Sequence, residues 1–122
     1  MDELVAALTE TEYSFAHFGW SKAPSGDYGV YAEDDQLALY ADNKPVEKVL
    51  QGTIDYFTRD DTGTPQTVIE AALEKYRVPY RMESIQFEPD TGYIHYEWVF
   101  EFLFNYVEPT PTPNEVTPNG ED

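Results

Sequence analysis

Tyr93-Ile94-His95-Tyr96-Glu97-Trp98-Val99-Phe100-Glu101-Phe102-Leu103-Phe104-Asn105-Tyr106-Val107 is the stretch that decides the fold. Side chains alternate between the two faces of a strand. Ile94, Tyr96, Trp98, Phe100, Phe102, Phe104 and Tyr106 therefore share one face. Tyr93, His95, Glu97, Val99, Glu101 and Leu103 share the other, with Asn105. A strand of these fifteen residues would run about 50 Å at about 3.3 Å per residue. A domain of this size has a radius of gyration of about 13 Å. The strand must bend, or part of its hairpin must project and seek a partner across a sheet edge.

Working back from it, Pro89-Asp90-Thr91-Gly92 reads as a turn and Tyr80 to Glu88 as the pairing strand. Before that, Val68, Ile69, Ala72, Leu73 and Tyr76 form the buried stripe of an amphipathic helix. Thr64 is its expected N-cap, Pro65 its first residue, and Pro79 stops it. Val46 to Tyr56 alternates as a half-buried strand, with a bulge expected at Gly52. Tyr28 to Ala32 and Gln36 to Ala41 read as short strands joined by the acidic turn Glu33-Asp34-Asp35. Asp42-Asn43-Lys44-Pro45 reads as a second turn, Tyr13 to Trp20 as an aromatic strand, and Ser21 to Asp27 as a loop. Asp2 to Leu8 reads as a short helix with Leu4, Val5 and Leu8 on one face. The expected fold is α+β: a mostly antiparallel sheet, a short N-terminal helix and one amphipathic helix on one face, and a long C-terminal β-hairpin. The single domain is expected over 1–107. Residues 108–122, with four prolines and no basic residue, read as a disordered acidic tail.

The chain has 122 residues, 24 Asp plus Glu against 7 Lys plus Arg, and a formal charge of -17. That balance argues against a general phosphate-binding surface and against adsorption to anionic lipid. No apolar run reaches the length of a membrane span, and no basic start precedes an apolar region, so neither a transmembrane helix nor a signal peptide is expected. With no cysteine, disulfides, thiolate metal sites and a cysteine nucleophile are excluded. Aromatics at 16% separate the chain from disordered acidic sequences.

Chemistry-bearing patterns are sparse. His17 and His95 stand alone at strand positions. Asp60-Asp61-Thr62-Gly63 lacks the alternating acids and distal Glu of a calcium loop. Ser25 in Pro24-Ser25-Gly26 is no nucleophile elbow. No glycine-rich loop cradles a phosphate, and no carboxylate pair stands out for glycoside chemistry. No catalytic, cofactor or metal residue is expected. All seven bases lie between Lys22 and Arg81, and nine acids with no base follow Arg81. Such a surface either keeps the chain soluble or forms an acidic face that repels DNA or meets a basic partner.

The order of elements resembles the tail-completion (tail-terminator, head-tail joining) proteins of siphophages and prophages. The matching stretches are Leu4-Val5-Ala6-Ala7-Leu8, Phe15-Ala16-His17-Phe18, Gln51-Gly52-Thr53-Ile54-Asp55-Tyr56-Phe57-Thr58, Val68-Ile69-Glu70-Ala71-Ala72-Leu73 and the hairpin to Phe102. The resemblance implies a non-enzymatic virion protein, located in the virion at the phage tail or neck, or in the host bacterial cytoplasm during assembly. Its partners would be copies of itself in a ring, commonly a hexamer, together with the tail tube protein and the head-tail connector proteins. Neither specific nucleic-acid binding nor a membrane would be involved. Ring contacts are then expected on the terminal hairpin, at Tyr93, His95, Glu97, Val99, Glu101 and Leu103. Glu33, Asp34 and Asp35 are expected on a solvated loop near the lumen or docking face. A head-tail connector or stopper, an acidic DNA mimic that inhibits a nucleic-acid-binding protein, and a small hydrolase or sugar-binding protein are the competing classes.

Overall fold

The computed structural model describes residues 1–41 and 44–105, and the side chains of 1–34 and 48–103. The elements are α1 (Asp2–Glu10), β1 (Phe15–His17), β2 (Tyr28–Ala41), β3 (Lys44–Thr58), α2 (Thr64–Lys75), β4 (Tyr80–Glu88) and β5 (Tyr93–Asn105). The five strands form one sheet in the order β1-β2-β3-β5-β4. Only the β1–β2 pairing is parallel. The fold is α+β, with both helices on one face of a mostly antiparallel sheet. The expected tail, 108–122, lies outside the described residues, as do Tyr106, Val107, Asp42 and Asn43, while Lys44 and Pro45 of the expected second turn belong to β3.

The alternation of β5 builds the core. Tyr96, Trp98 and Phe100 are buried against Ile54 and Tyr56 of β3 and against Leu4, Ala7, Leu8, Ile69, Ala72 and Leu73 of the helices. Fully burying a side chain of this size stabilises by roughly 1.5–3 kcal/mol. The stripe on α1 is Leu4, Ala7 and Leu8, and Val5 stays exposed. The stripe on α2 is Ile69, Ala72 and Leu73, with Pro65 buried at its start. Trp98 is fully buried, and its indole N–H donates to Glu70 Oε2 at 2.8 Å. Burying that donor without an acceptor would be costly, so Glu70 ties the sheet to α2. The helices are tied to each other by Glu10, which accepts from Lys75 Nζ at 3.0 Å and from Tyr76 Oη at 2.7 Å.

Several expectations are corrected. Glu33, Asp34 and Asp35 are not a turn: β2 is one strand, and its register with β3 slips by one residue between Glu33 and Asp35. The extra residue is Asp34, so the acids sit on a β-bulge, which inserts one residue without ending the ladder. The irregularity expected at Gly52 is therefore in the β2–β3 ladder at that position, but the extra residue is on β2, and Gly52 itself keeps register with Phe100 across to β5. A Cβ there would overlap the Ala32 carbonyl and the Phe100 ring. The first strand shrinks to Phe15–His17, because Phe18 takes a φ of 70° and turns the chain. Gly63, at φ 83°, is the N-cap of α2, and Thr64 is its first residue. The part of the sheet that runs past β4 is shared by β2, β3 and the end of β5, since β4 starts opposite Phe100. It is not a projection of the terminal hairpin alone.

Helix α2 ends before Pro79 by its own cap. Arg77 N–H donates to the Glu74 carbonyl at 3.1 Å and Val78 N–H to the Leu73 carbonyl at 2.9 Å. That pair of bonds is the Schellman arrangement, with buried Val78 packing back on the helix. Its pivot, Arg77, sits at φ 59°, a conformation that costs an L-residue roughly 1–2 kcal/mol and glycine little. Arg77→Gly is expected to stabilise the fold by about 1 kcal/mol, read as a higher denaturation midpoint with an unchanged slope. A lower midpoint would contradict this reading of the cap.

Candidate assembly surface

The face of the sheet opposite the helices carries the residues expected at a partner interface. β5 places Tyr93, His95, Glu97, Val99, Glu101 and Leu103 there, and β3 adds Asp55 and Phe57 by direct cross-strand pairing with Glu97 and His95. These residues do not act alike.

Tyr93 is removed from the surface. Its side chain is buried, and its hydroxyl donates to the carbonyls of Gly26 at 2.8 Å and Ser25 at 3.2 Å. The Ser21–Asp27 loop is therefore pinned over this end of the face. Arg59 completes the clamp: its guanidinium lies 4.1 Å from the Tyr93 ring centroid and donates to the carbonyls of Thr91 and Ser25. Tyr28 and Phe57 stack at 4.7 Å and meet Tyr93 edge-on. Tyr93 is thus the centre of a small second core. The alternation assigns it to the right face but says nothing about a loop folding over it.

His95 is half-enclosed. Its ring stacks on Phe57 at 4.2 Å, its Nε2 meets Asp55 Oδ1 at 2.7 Å, and its Nδ1 lies 3.8 Å from Glu88 Oε2. The Asp55 hydrogen bond and the Phe57 stack therefore orient the imidazole, with Glu88 at ion-pair distance on its other side. On the same face the hydroxyl of Ser84 faces Glu97 Oε1 at 3.5 Å. Among the described residues no group of three or more His, Cys, Asp or Glu side chains is placed to hold a metal ion.

Further along, Glu101 and Leu103 are exposed, and Val99 borders a half-open depression of about 200 Å³ with Gln51, Pro79, Tyr80, Arg81 and Glu101. Arg81 pairs with Glu83 beside it. The open face is thus acidic and mixed, with Leu103 as its one strongly exposed large apolar side chain among the described residues.

The acidic bulge lies elsewhere. Glu33 stands opposite Gly52, on the helix-bearing face. There its Oε1 meets His17 Nε2 at 2.6 Å. His17 is stacked between Phe18 at 4.1 Å and Tyr31 at 4.7 Å. The three acids are therefore not one solvated loop, and Glu33 fastens β1 to the bulge. Sequence reasoning also missed the exposed Ile85 and Phe87 of β4. They alternate with Ser84 and Gln86 as buried residues do, and the pattern cannot show that the helices stop short of them.

No protein-family model matches the chain, and no curated protein matches it. Among the described residues no helix is long and apolar enough to cross a membrane.

The hydrogen bond with His17 holds the Glu33 carboxyl below its ordinary value of 4.5, against a smaller opposing effect of burial. A depressed folded value stabilises the fold above the unfolded value, and that contribution disappears as pH falls through the folded value. His17→Ala should therefore move the Glu33 titration, followed by carboxyl NMR, up toward 4.5. The stability gap between the variant and the parent should narrow as the pH is lowered through that range. An unmoved Glu33 titration would contradict the pairing.

Proposed function

We propose that the chain is a non-enzymatic phage or prophage virion assembly protein, a tail terminator that forms a ring at the head-proximal end of the tail tube. The observation that carries this reading is the element order. A helix, a short aromatic strand, a long hairpin, a second helix and a terminal hairpin follow one another as the resemblance implies. Two physical features agree with it. The sheet is open at both edges, β1 and β4, and unpaired strand edges are templates for further pairing. The face away from the helices carries Asp55, Glu88, Glu97 and Glu101, and a lumen lined this way would not grip the phosphates of passing DNA.

The test is co-expression with the proteins encoded on either side of its own reading frame. Electron microscopy and light scattering then follow the purified product. The reading expects closed rings of several 14.0 kDa subunits, seated at the ends of tail tubes. A fixed monomer or dimer that captures a DNA-binding protein, and is released from it by duplex DNA, would overturn it in favour of a DNA mimic. Rings found on the head connector with no affinity for tubes would shift the role to a connector or stopper.

A further inference from the structure

The exposed large apolar side chains among the described residues are Val5, Phe18, Trp20, Ile85, Phe87 and Leu103. All but Leu103 gather at the two ends of the strand order. On β4, Ile85 and Phe87 stand opposite Tyr96 and Ile94, on the helix-bearing face, at 52% and 64% exposure. They protrude beyond the reach of the helices. At the other edge, a groove of about 240 Å³ runs between α1 and β1 on the same face, lined by Val5, Leu8, Tyr13, Phe15 and Tyr31 with Thr9 and Glu12. One edge carries an apolar protrusion and the other an apolar recess.

The topology lets these two meet. β1 is parallel to β2, and β2–β3, β3–β5 and β5–β4 are each antiparallel. β4 therefore runs opposite to β1. Laying β4 of one copy beside β1 of the next continues the sheet with antiparallel strands and keeps both helix layers on one side. Ser14 C=O and Phe18 N–H bond inward to β2. By the alternation of the ladder, the backbone groups of Phe15 and His17 then face the outer edge.

We propose that one copy docks β4 against the β1 edge of the next, with Ile85 and Phe87 seated in the groove between α1 and β1. Charge selects a second copy as the occupant. A basic partner would be drawn to the acidic open face. The parts that would interlock carry few charges: Ser84-Ile85-Gln86-Phe87, between Glu83 and Glu88, has no ionisable group, Glu12 is the one charged residue lining the groove, and Glu33 beside it is already engaged by His17. Two chains of charge -17 approach with least repulsion through such surfaces. Because the two surfaces differ, the contact is head-to-tail, and a head-to-tail contact closes into a ring or runs on as a filament. This contact rests on the reading that the chain assembles with itself, and not on the identity of the particle.

The experiment uses two variants of the full chain, Ile85→Lys with Phe87→Lys, and Val5→Lys with Thr9→Lys, all at exposed positions. Circular dichroism and thermal melts establish that each is folded. In sedimentation velocity the parent should form larger species that grow with concentration and with salt, since salt screens the repulsion between copies. Each variant alone should remain monomeric. Mixed in equal amounts they should give a heterodimer and nothing larger, because one protrusion and one groove survive in the mixture. As a check independent of these charges, Gln86→Cys and Ala16→Cys chains, in a protein otherwise free of cysteine, should be joined to each other by a short bis-maleimide. The proposal is overturned if both lysine variants assemble like the parent. It is overturned equally if only the β4 variant fails, which marks a two-fold β4–β4 contact, or if the parent stays monomeric at every salt concentration. Rings that form with virion neighbours despite both variants would remove this contact and leave the proposed function standing.

Discussion

The burial of Tyr96, Trp98 and Phe100 beneath two helices is the contact on which the rest of the structure depends. An aromatic stripe on a long strand is a liability when it faces water. Here the chain covers it with its own helices. This burial takes the Trp98 indole N–H out of water, and its acceptor Glu70, which Gln66 Nε2 steadies at 3.2 Å, ties α2 to the sheet. Helix α2 then holds α1 through Glu10. With one face closed, the surfaces left uncovered are the acidic open face and the two sheet edges.

Electrostatics follows the same division. Arg59 is spent on clamping the loop over Tyr93, Lys75 on joining the helices, and Arg81 on its neighbour Glu83. These scarce bases serve local structure and do not gather into a patch. The carboxylates of Asp55, Glu97 and Glu101 are left in a row along strands of the open face, where an anionic polymer would be repelled. The apolar edges are the places where a second acidic chain can approach at low electrostatic cost.

Much of the fold was legible because it rests on periodicity. The bounds of β4, the turn at Pro89–Gly92 and the stripe Ile69, Ala72 and Leu73 follow from alternation and helical spacing. What was not legible depends on neighbours distant in sequence. Glu33-Asp34-Asp35 reads as a turn by its charge, yet pairing with β3 absorbs the acids by displacing a single residue. Gly52 marks the irregular position, but the extra residue lies across from it on β2, and its own lack of a side chain makes room for Phe100 and the Ala32 carbonyl. The candidate site was half legible. Alternation puts Tyr93, His95, Glu97, Val99, Glu101 and Leu103 on one face, as found. It cannot foresee that a loop buries Tyr93, that Asp55 engages His95, or that the helices leave Ile85 and Phe87 uncovered.

The aromatic stripe of β5 is internal core, and the contact we propose leaves the β4 edge to meet another copy. Hydrogen exchange of the backbone amides, compared between dilute protein and assembled particles, tests it most directly. Tyr96 to Phe100 are expected to be strongly protected in both, and the alternate amides of Ser84 to Phe87 that point away from β5 are expected to gain protection only on assembly. Equal protection of these β4 amides in both states, or fast exchange at Trp98 in dilute protein, would contradict it.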